Sequence, residues 1–333
     1  MRSQSIKRGQ KIEEDRPINI QEHMSSIGQI GSNIPPQAGK LAVVTGATGG
    51  LGYEIALALA QGCADVIIAG RNDAKGRGAA GKIRTLAPKA LVRFEKLDLA
   101  SLKSIATFAE RLAGAGRAVD LLVNNAGVMA LPKRRITPDG FEMQFGTNYL
   151  GHFALTGRLL PLLCRSRSPR VVQVSSLAHH FGKIRFDDLH GESVYSPWGA
   201  YSQSKLATLL FARELQWQSD AHGWGLLSSA VHPGCAKTDL YANGPGTRSL
   251  STFLHRLLGR VVTQSAAEGA QPALFAVYSA HIEPGGYYGP GGMLGLNGHP
   301  VAAQASKRAS DQAVARRLWQ VSEQMTGVRW SAE

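Results

Sequence analysis

At 333 residues, with 44% hydrophobic and 18% charged side chains, the chain has the make-up of a globular protein able to bury a large core. Its formal charge of +13 is spread among apolar residues, without an arginine-rich arm or interleaved aromatics, so a nucleic-acid partner is not expected. Cys63, Cys164 and Cys235 fit neither a disulfide framework nor a metal site, and no apolar run approaches the roughly 18 residues of a membrane span.

A reducing compartment suits three scattered cysteines, and the N-terminus lacks the apolar core of a secretory signal, so a cytoplasmic location is expected. Residues 1–38 are polar, mixed in charge and poor in apolar periodicity. They read as a disordered or loosely docked extension ending at Pro35-Pro36, within which Met24 is a second candidate start.

From Gly39 onward, short Val/Ile/Leu runs alternate with helical patterns. Strands are expected at Leu41–Thr45, Val66–Ala69, Val92–Leu97, Leu121–Asn124, Val171–Ser175 and Leu227–His232. Helices are expected near 50–61, 74–86, 101–113, 146–164, 200–218, 266–280 and 306–326. That alternation is the signature of a parallel sheet covered on both faces. The expected fold is α/β, a single doubly wound (Rossmann) sheet of about seven strands forming one domain over 39–333. Ligands of such sheets sit at the carboxyl ends of the strands, where the chemistry is to be sought.

The first strand runs into Thr45-Gly46-Ala47-Thr48-Gly49-Gly50-Leu51-Gly52, and a helix follows at once. Glycines let the backbone approach a pyrophosphate, and free amides at a helix start attract negative charge. The spacing T-G-x-x-x-G-x-G differs from the commonest dinucleotide fingerprint. The second strand ends at Arg71-Asn72, where an acidic residue would accept a bond from a free ribose 2′-hydroxyl. An arginine there suits a 2′-phosphate instead, and Lys75, Arg77, Lys82 and Arg84 add to the local positive charge, so NADP(H) is expected over NAD(H). The third strand ends at Asp98-Leu99. The Asp98 carboxylate could accept from an adenine amino group or cap the next helix.

The fourth strand closes on Asn124-Asn125-Ala126-Gly127, small enough to pass beneath a flat ligand. The fifth ends at Ser175-Ser176, and a later helix carries Tyr201 and Lys205 four residues apart, on one face. A free phenol titrates near pH ~10, and an adjacent ammonium would stabilise the phenolate.

Taken together, the glycine turn, Asn124–Gly127, Asn148, Ser176, Tyr201 and Lys205 resemble the short-chain dehydrogenase/reductase family over residues 39 to about 240. Ser175-Ser176-Leu177-Ala178-His179-His180 with a long insertion, and Tyr201-Ser202-Gln203-Ser204-Lys205-Leu206-Ala207, are similar to its retinol-dehydrogenase-like branch. The resemblance implies Tyr201 as the acid/base and Ser176 as the group that polarises the substrate oxygen. It implies that Lys205 binds the nicotinamide ribose and lowers the Tyr201 pKa, and that Asn148 holds a water. The cofactor set it implies is Gly46, Thr48, Gly49, Gly50, Leu51, Gly52, Arg71, Asn72, Asp98, Leu99, Asn124, Ala126, Gly127, Tyr201, Lys205, Pro233, Gly234 and Thr238.

The separation of 25 between Ser176 and Tyr201 is longer than is common in the family and fits the branch's insertion. His179 and His180 lack a third ligand at matching spacing, so no metal is expected. Apolar residues at helical spacing between Tyr241 and Thr263 suggest a lid, about 239–264, over an apolar substrate, or else an ordinary packed helix. The expected activity is NADPH-dependent interconversion of a carbonyl and an alcohol on a lipophilic, retinoid-, steroid- or aromatic-ketone-like substrate. The rivals are a C=C reductase of the protochlorophyllide-reductase type and a non-catalytic NADP(H)-sensing protein. Family members often pair through the helices at 146–164 and 200–218, so a homo-oligomer is possible, and weak association with a membrane surface is compatible with the charge.

Overall fold

A computed structural model describes residues 35–235 and 264–332. Among these residues eight strands, numbered in chain order, form one sheet in the order β3-β2-β1-β4-β5-β6-β7-β8. They are β1 (Leu41–Thr45), β2 (Asp65–Gly70), β3 (Val92–Lys96), β4 (Leu121–Asn124), β5 (Arg170–Val174), β6 (Leu227–Val231), β7 (Tyr287–Pro290) and β8 (Pro300–Ala302). The first seven are parallel, and β8 runs antiparallel along β7. The sheet thus has one strand more than expected, a three-residue edge piece opening on Pro300. Proline cannot donate to a ladder and belongs at an edge.

Side chains of successive strand residues point to opposite faces, and both faces of this sheet are covered. Leu41, Val43, Ile67 and Ala69 pack with helices α3 (Leu102–Gly114), α4 (Gly151–Leu163), α5 (Pro197–His222) and α7 (Gln312–Thr326). Ala42, Val44, Val66 and Ile68 pack with α1 (Gly50–Gln61), α2 (Asp73–Leu86) and α6 (Ala266–Tyr278) on the other side. This two-sided burial is why the strands read as unbroken apolar runs. Chain order reverses between β1 and β4, opening a crevice there at the carboxyl ends.

Several boundaries move. The helix expected at 200 starts at Pro197, with Ser196 accepting the Gly199 amide as its cap. The helix expected from 306 starts at Gln312, capped by Asp311, with a short 3₁₀ turn at Lys307–Ser310 before it. Before α4 the chain makes a short helical turn, Met143–Phe145, and a π-turn, Gly146–Leu150. Of the expected extension, the described end is docked, since Gln37 is buried and its backbone amide donates to the Gly62 carbonyl at 2.6 Å. Residues 1–34 and most of the expected lid lie outside the described residues. Among those described, no helix is long and apolar enough to cross a membrane.

Candidate active site

One cleft of about 1230 Å³ follows the carboxyl edge from β2 to β6. At its floor Thr45 ends β1 and the glycine turn begins. Gly46 has φ +67°, and a Cβ on it would lie 2.8 Å from the Ala126 Cα; a Cβ on Gly52 would lie 2.5 Å from the Asn125 Nδ2. Only glycine allows the β1 and β4 ends to close so tightly. Helix α1 has no side-chain cap and no acidic residue in its first turn, so its leading amides are presented to the cleft with their positive dipole. A cradle of this kind fits the pyrophosphate of a dinucleotide.

Arg71, Asn72 and Lys75 line the end of the cleft beyond β2. Among the described residues, neither Arg71 nor Lys75 is paired with a carboxylate. Asn72 has a structural task, its Oδ1 accepting the Lys75 amide at 3.0 Å to cap α2. Asp98 and Leu99 also line the cleft, and the Asp98 Oδ1 accepts the Ala100 amide at 3.0 Å. The cap of α3 is Ser101, not Asp98.

The two adjacent asparagines diverge. Asn124, expected to touch cofactor, does not line the cleft: it is buried and its Nδ2 donates to Thr156 Oγ1 at 2.9 Å. Adjacent strand residues face opposite sides, so it is Asn125 that lines the cleft, its Nδ2 donating to the Thr45 carbonyl at 2.8 Å. Ala126 and Gly127 follow along the cleft wall, with Pro233 and Gly234 opposite; Thr238 lies outside the described residues.

At the other end of the cleft lie Ser176, Tyr201 and Lys205. Ser175 and Ser176 also diverge. The Ser175 hydroxyl donates to the Lys205 carbonyl at 2.8 Å, whereas the Ser176 hydroxyl oxygen accepts the Ala178 amide at 3.2 Å and lines the cleft beside the Tyr201 phenol. Burial pushes the Tyr201 phenol up to about 12, opposed by the nearby Ser176 hydroxyl. Burial pushes the Lys205 ammonium down to about 8. The ammonium donates to the Val174 carbonyl at 2.8 Å and lies 5.8 Å from the centre of the Tyr201 ring. The expected lowering of the tyrosine by the lysine is thus absent from this geometry: the lysine's bond goes to the strand, and desolvation dominates both groups.

Asn148 sits in the π-turn, where its side chain has no spare donor for a water. Its Oδ1 accepts the Val128 amide at 2.8 Å, and its Nδ2 donates to the Val128 carbonyl and to Ser204 Oγ, both at 2.9 Å. Ser204 in turn donates to the Tyr201 carbonyl at 2.7 Å. His179 is no metal ligand: its Nδ1 donates to the Ser176 carbonyl at 2.8 Å and its Nε2 accepts the Ser306 amide at 3.1 Å.

Sequence reasoning named Asn125 in its motif but gave the cofactor role to Asn124, and it passed over Ser204 and the apolar wall of the cleft. That wall includes Met129, Leu131, Phe181 and Trp198. Trp198 stands edge-on to Tyr201, ring centres 5.9 Å apart, and is 53% exposed, while Phe181 is 84% exposed. Two large aromatics are thus left exposed on the wall of the cleft that holds the buried phenol; a tryptophan one turn before the tyrosine was the available signal.

A family profile described as short chain dehydrogenase matches residues 40–249. The chain belongs to this family. Polyprenol dehydrogenase of Danio rerio is 39% identical over 301 residues, covering 89% of this chain and 90% of the relative. Retinol dehydrogenase 12 of Homo sapiens is 42% identical over 294 residues, covering 88% of each. A crystal structure of an uncharacterised protein from Mycobacterium paratuberculosis matches with a TM-score of 0.74 at 40% identity, over 90% of this chain and 98% of that one. A short chain dehydrogenase from Shigella flexneri, complexed with NADP, matches with a TM-score of 0.58 at 25% identity, over 74% of this chain and 94% of that one. This short-chain dehydrogenase lies in the retinol-dehydrogenase-like branch, and is an NAD(P)-binding oxidoreductase acting on CH–OH donors.

Proposed function

We propose that this short-chain dehydrogenase reduces the carbonyl group of an elongated, apolar substrate with NADPH as the preferred cofactor. The observation that carries the reading is that Ser176, Tyr201 and Lys205 line one end of a single cleft, with Arg71 and Lys75, unpaired with a carboxylate among the described residues, at the other. The basic pair supports NADP(H), because a guanidinium and an ammonium left without carboxylates suit a 2′-phosphate. Trp198, Phe181, Met129 and Leu131 support an apolar substrate. The relatives named for retinol and polyprenol, both long apolar alcohols, agree with that class.

A bound nicotinamide supplies the hydride that reaches the carbonyl carbon. The chain supplies the proton. With its pKa near 12, the Tyr201 hydroxyl is protonated at neutral pH and is poised to give that proton to the developing alkoxide. Ser176 donates a hydrogen bond to the same oxygen and stabilises its growing charge. Lys205 places a positive charge beneath the site, and Asn148, through Ser204, fixes the helical turn that bears Tyr201.

The test is NADPH oxidation followed by absorbance against long-chain aldehydes, aromatic ketones and small ketones, with Tyr201→Phe beside the wild type. Turnover on the apolar carbonyls and its loss by ~10²–10⁴-fold in the variant are expected. Undiminished turnover in Tyr201→Phe would sink the assigned mechanism.

A further inference from the structure

One of the buried histidines that the chemistry leaves unused is His152, at the start of α4. It is 1% exposed, and both ring nitrogens are occupied at 2.9 Å, Nδ1 by the Asn148 carbonyl and Nε2 by the Thr45 hydroxyl. A carbonyl only accepts, so Nδ1 carries the proton and Nε2 is the acceptor. The Thr45 hydroxyl therefore gives its one proton to Nε2. Its contact with the Val123 carbonyl, at 3.4 Å, is marginal by comparison.

The threonine oxygen has lone pairs left, and it receives two backbone amides, Asn125 at 2.9 Å and Ala126 at 3.0 Å. Every bond in this string is made inside the protein. At one end are the amides that hold the cleft wall against the glycine turn. At the other is the carbonyl of the π-turn residue whose side chain grips Val128 and Ser204. A π-turn is rare and needs local support to persist. A ring donor aimed at one of its carbonyls, from a side chain locked at its far nitrogen, is such support. Burial keeps the ring neutral, with its pKa pushed down to about 4, and the nearby Lys205 charge acts in the same direction.

We propose that His152 is a positioning residue that joins the two halves of the cleft: through Thr45 it orders the dinucleotide cradle, and through the Asn148 carbonyl it orders the Asn148–Ser204–Tyr201 connection. The second half rests on the reading of Tyr201 given above; the first does not. The two bonds leave from different nitrogens, so they are separable. Asparagine at 152 places an amide where Nδ1 stands, and glutamine reaches where Nε2 stands.

The experiment compares His152→Asn, His152→Gln and Thr45→Val in the full chain. NADPH affinity is read by the fluorescence of the bound nicotinamide, and kcat by NADPH oxidation. His152→Gln is expected to keep NADPH affinity within ~2-fold and to lose ~10-fold in kcat, the size of one hydrogen bond of about 1.4 kcal/mol. His152→Asn is expected to show the reverse: kcat within ~2-fold and NADPH bound ~5–10-fold more weakly. Thr45→Val, which also takes the acceptor from the Asn125 and Ala126 amides, should weaken NADPH binding at least as much as His152→Asn, and the double variant should be no weaker than Thr45→Val alone, because the His152 link is already gone there.

Equal losses of affinity and rate in both His152 variants would show a packing role alone and overturn the proposal, as would wild-type behaviour in both. If neither His152 variant folds, Thr45→Val decides alone, and unchanged NADPH affinity there refutes the link. Absence of turnover in the wild type would count against the proposed reaction, while the affinity measurements would still test the Thr45 half.

Discussion

The ammonium of Lys205 lies 5.8 Å from the centre of the Tyr201 ring, yet it donates to the Val174 carbonyl 2.8 Å away. The lysine is thus a buried charge held by β5, with its pKa pushed down to about 8 by burial. It loses its proton as the pH rises through that value. The free enzyme's kcat/KM for carbonyl reduction should therefore fall above about pH 8. Lys205→Arg keeps a permanent charge, so the surviving activity should lack that alkaline limb. A pH–rate profile of both proteins checks this, and an unchanged limb in the variant would assign it to another group.

Arg71 bears on cofactor choice. On the proposed cofactor reading, Arg71→Asp replaces a guanidinium that would donate to a 2′-phosphate with a carboxylate that would repel it and accept from a 2′-hydroxyl. We expect KM for NADPH to rise ~10–100-fold, on the order of 1.5–3 kcal/mol, while KM for NADH holds or falls. Parallel saturation curves with the two cofactors measure it. Equal changes for both would remove Arg71 from the 2′-phosphate.

Three histidines make the fold sensitive to acid. Burial is the first cause of the low pKa, about 4, of His152, His179 and His232 alike. A group depressed in the folded state contributes stability above its unfolded value, near 6.5, and loses that contribution as the pH falls towards its folded value. Thermal midpoints should hold near neutrality and drop between about pH 6.5 and 4, with proton uptake on unfolding. His179→Gln should flatten part of that slope. A midpoint that is level across this window would contradict the neutral buried rings.

The outer faces of α4 and α5 are covered by the chain itself. Trp319 of α7 and Trp330 both pack on Phe153 and Phe211, and a Cβ on Gly157 would lie 2.7 Å from Val328. Truncation after Ser310 would strip this cover and expose an apolar face on the two helices through which family members often pair. The shortened protein should self-associate or precipitate, while the full chain should not use this face for pairing. Light scattering on both chains tests it; a soluble, monomeric truncation would argue against the cover.

The alternation of strands and helices was legible because the sheet is buried on both sides and leaves its Val/Ile/Leu runs unbroken. Strands β7 and β8 were not, since Tyr287–Pro290 contains glycine and proline and Pro300–Ala302 is three residues long. The start of α5 was in plain view, with Ser196 as cap and Pro197 at the first helical position. Which of two adjacent residues faces the cleft was not: Asn124 and Asn125 are identical side chains that point apart. Nor does a tyrosine–lysine spacing reveal that the lysine donates to a strand carbonyl 31 residues away.

The segment that follows β8 ties the edge of the sheet to the serine loop. The Ser306 amide meets His179, and Arg308 donates to the Gly182 carbonyl at 2.9 Å. Asn148, Ser176, Tyr201 and Lys205 all precede residue 206, and their nearest braces, Val128, Val174 and Ser204, do too, but the contacts on the serine loop from Ser306 and Arg308 and the cover of α4 and α5 by Trp319 and Trp330 come from the end of the chain. A chain growing from its N-terminus therefore carries all four groups, and their inner braces, well before the segment that ties down the serine loop and covers the two helices behind them.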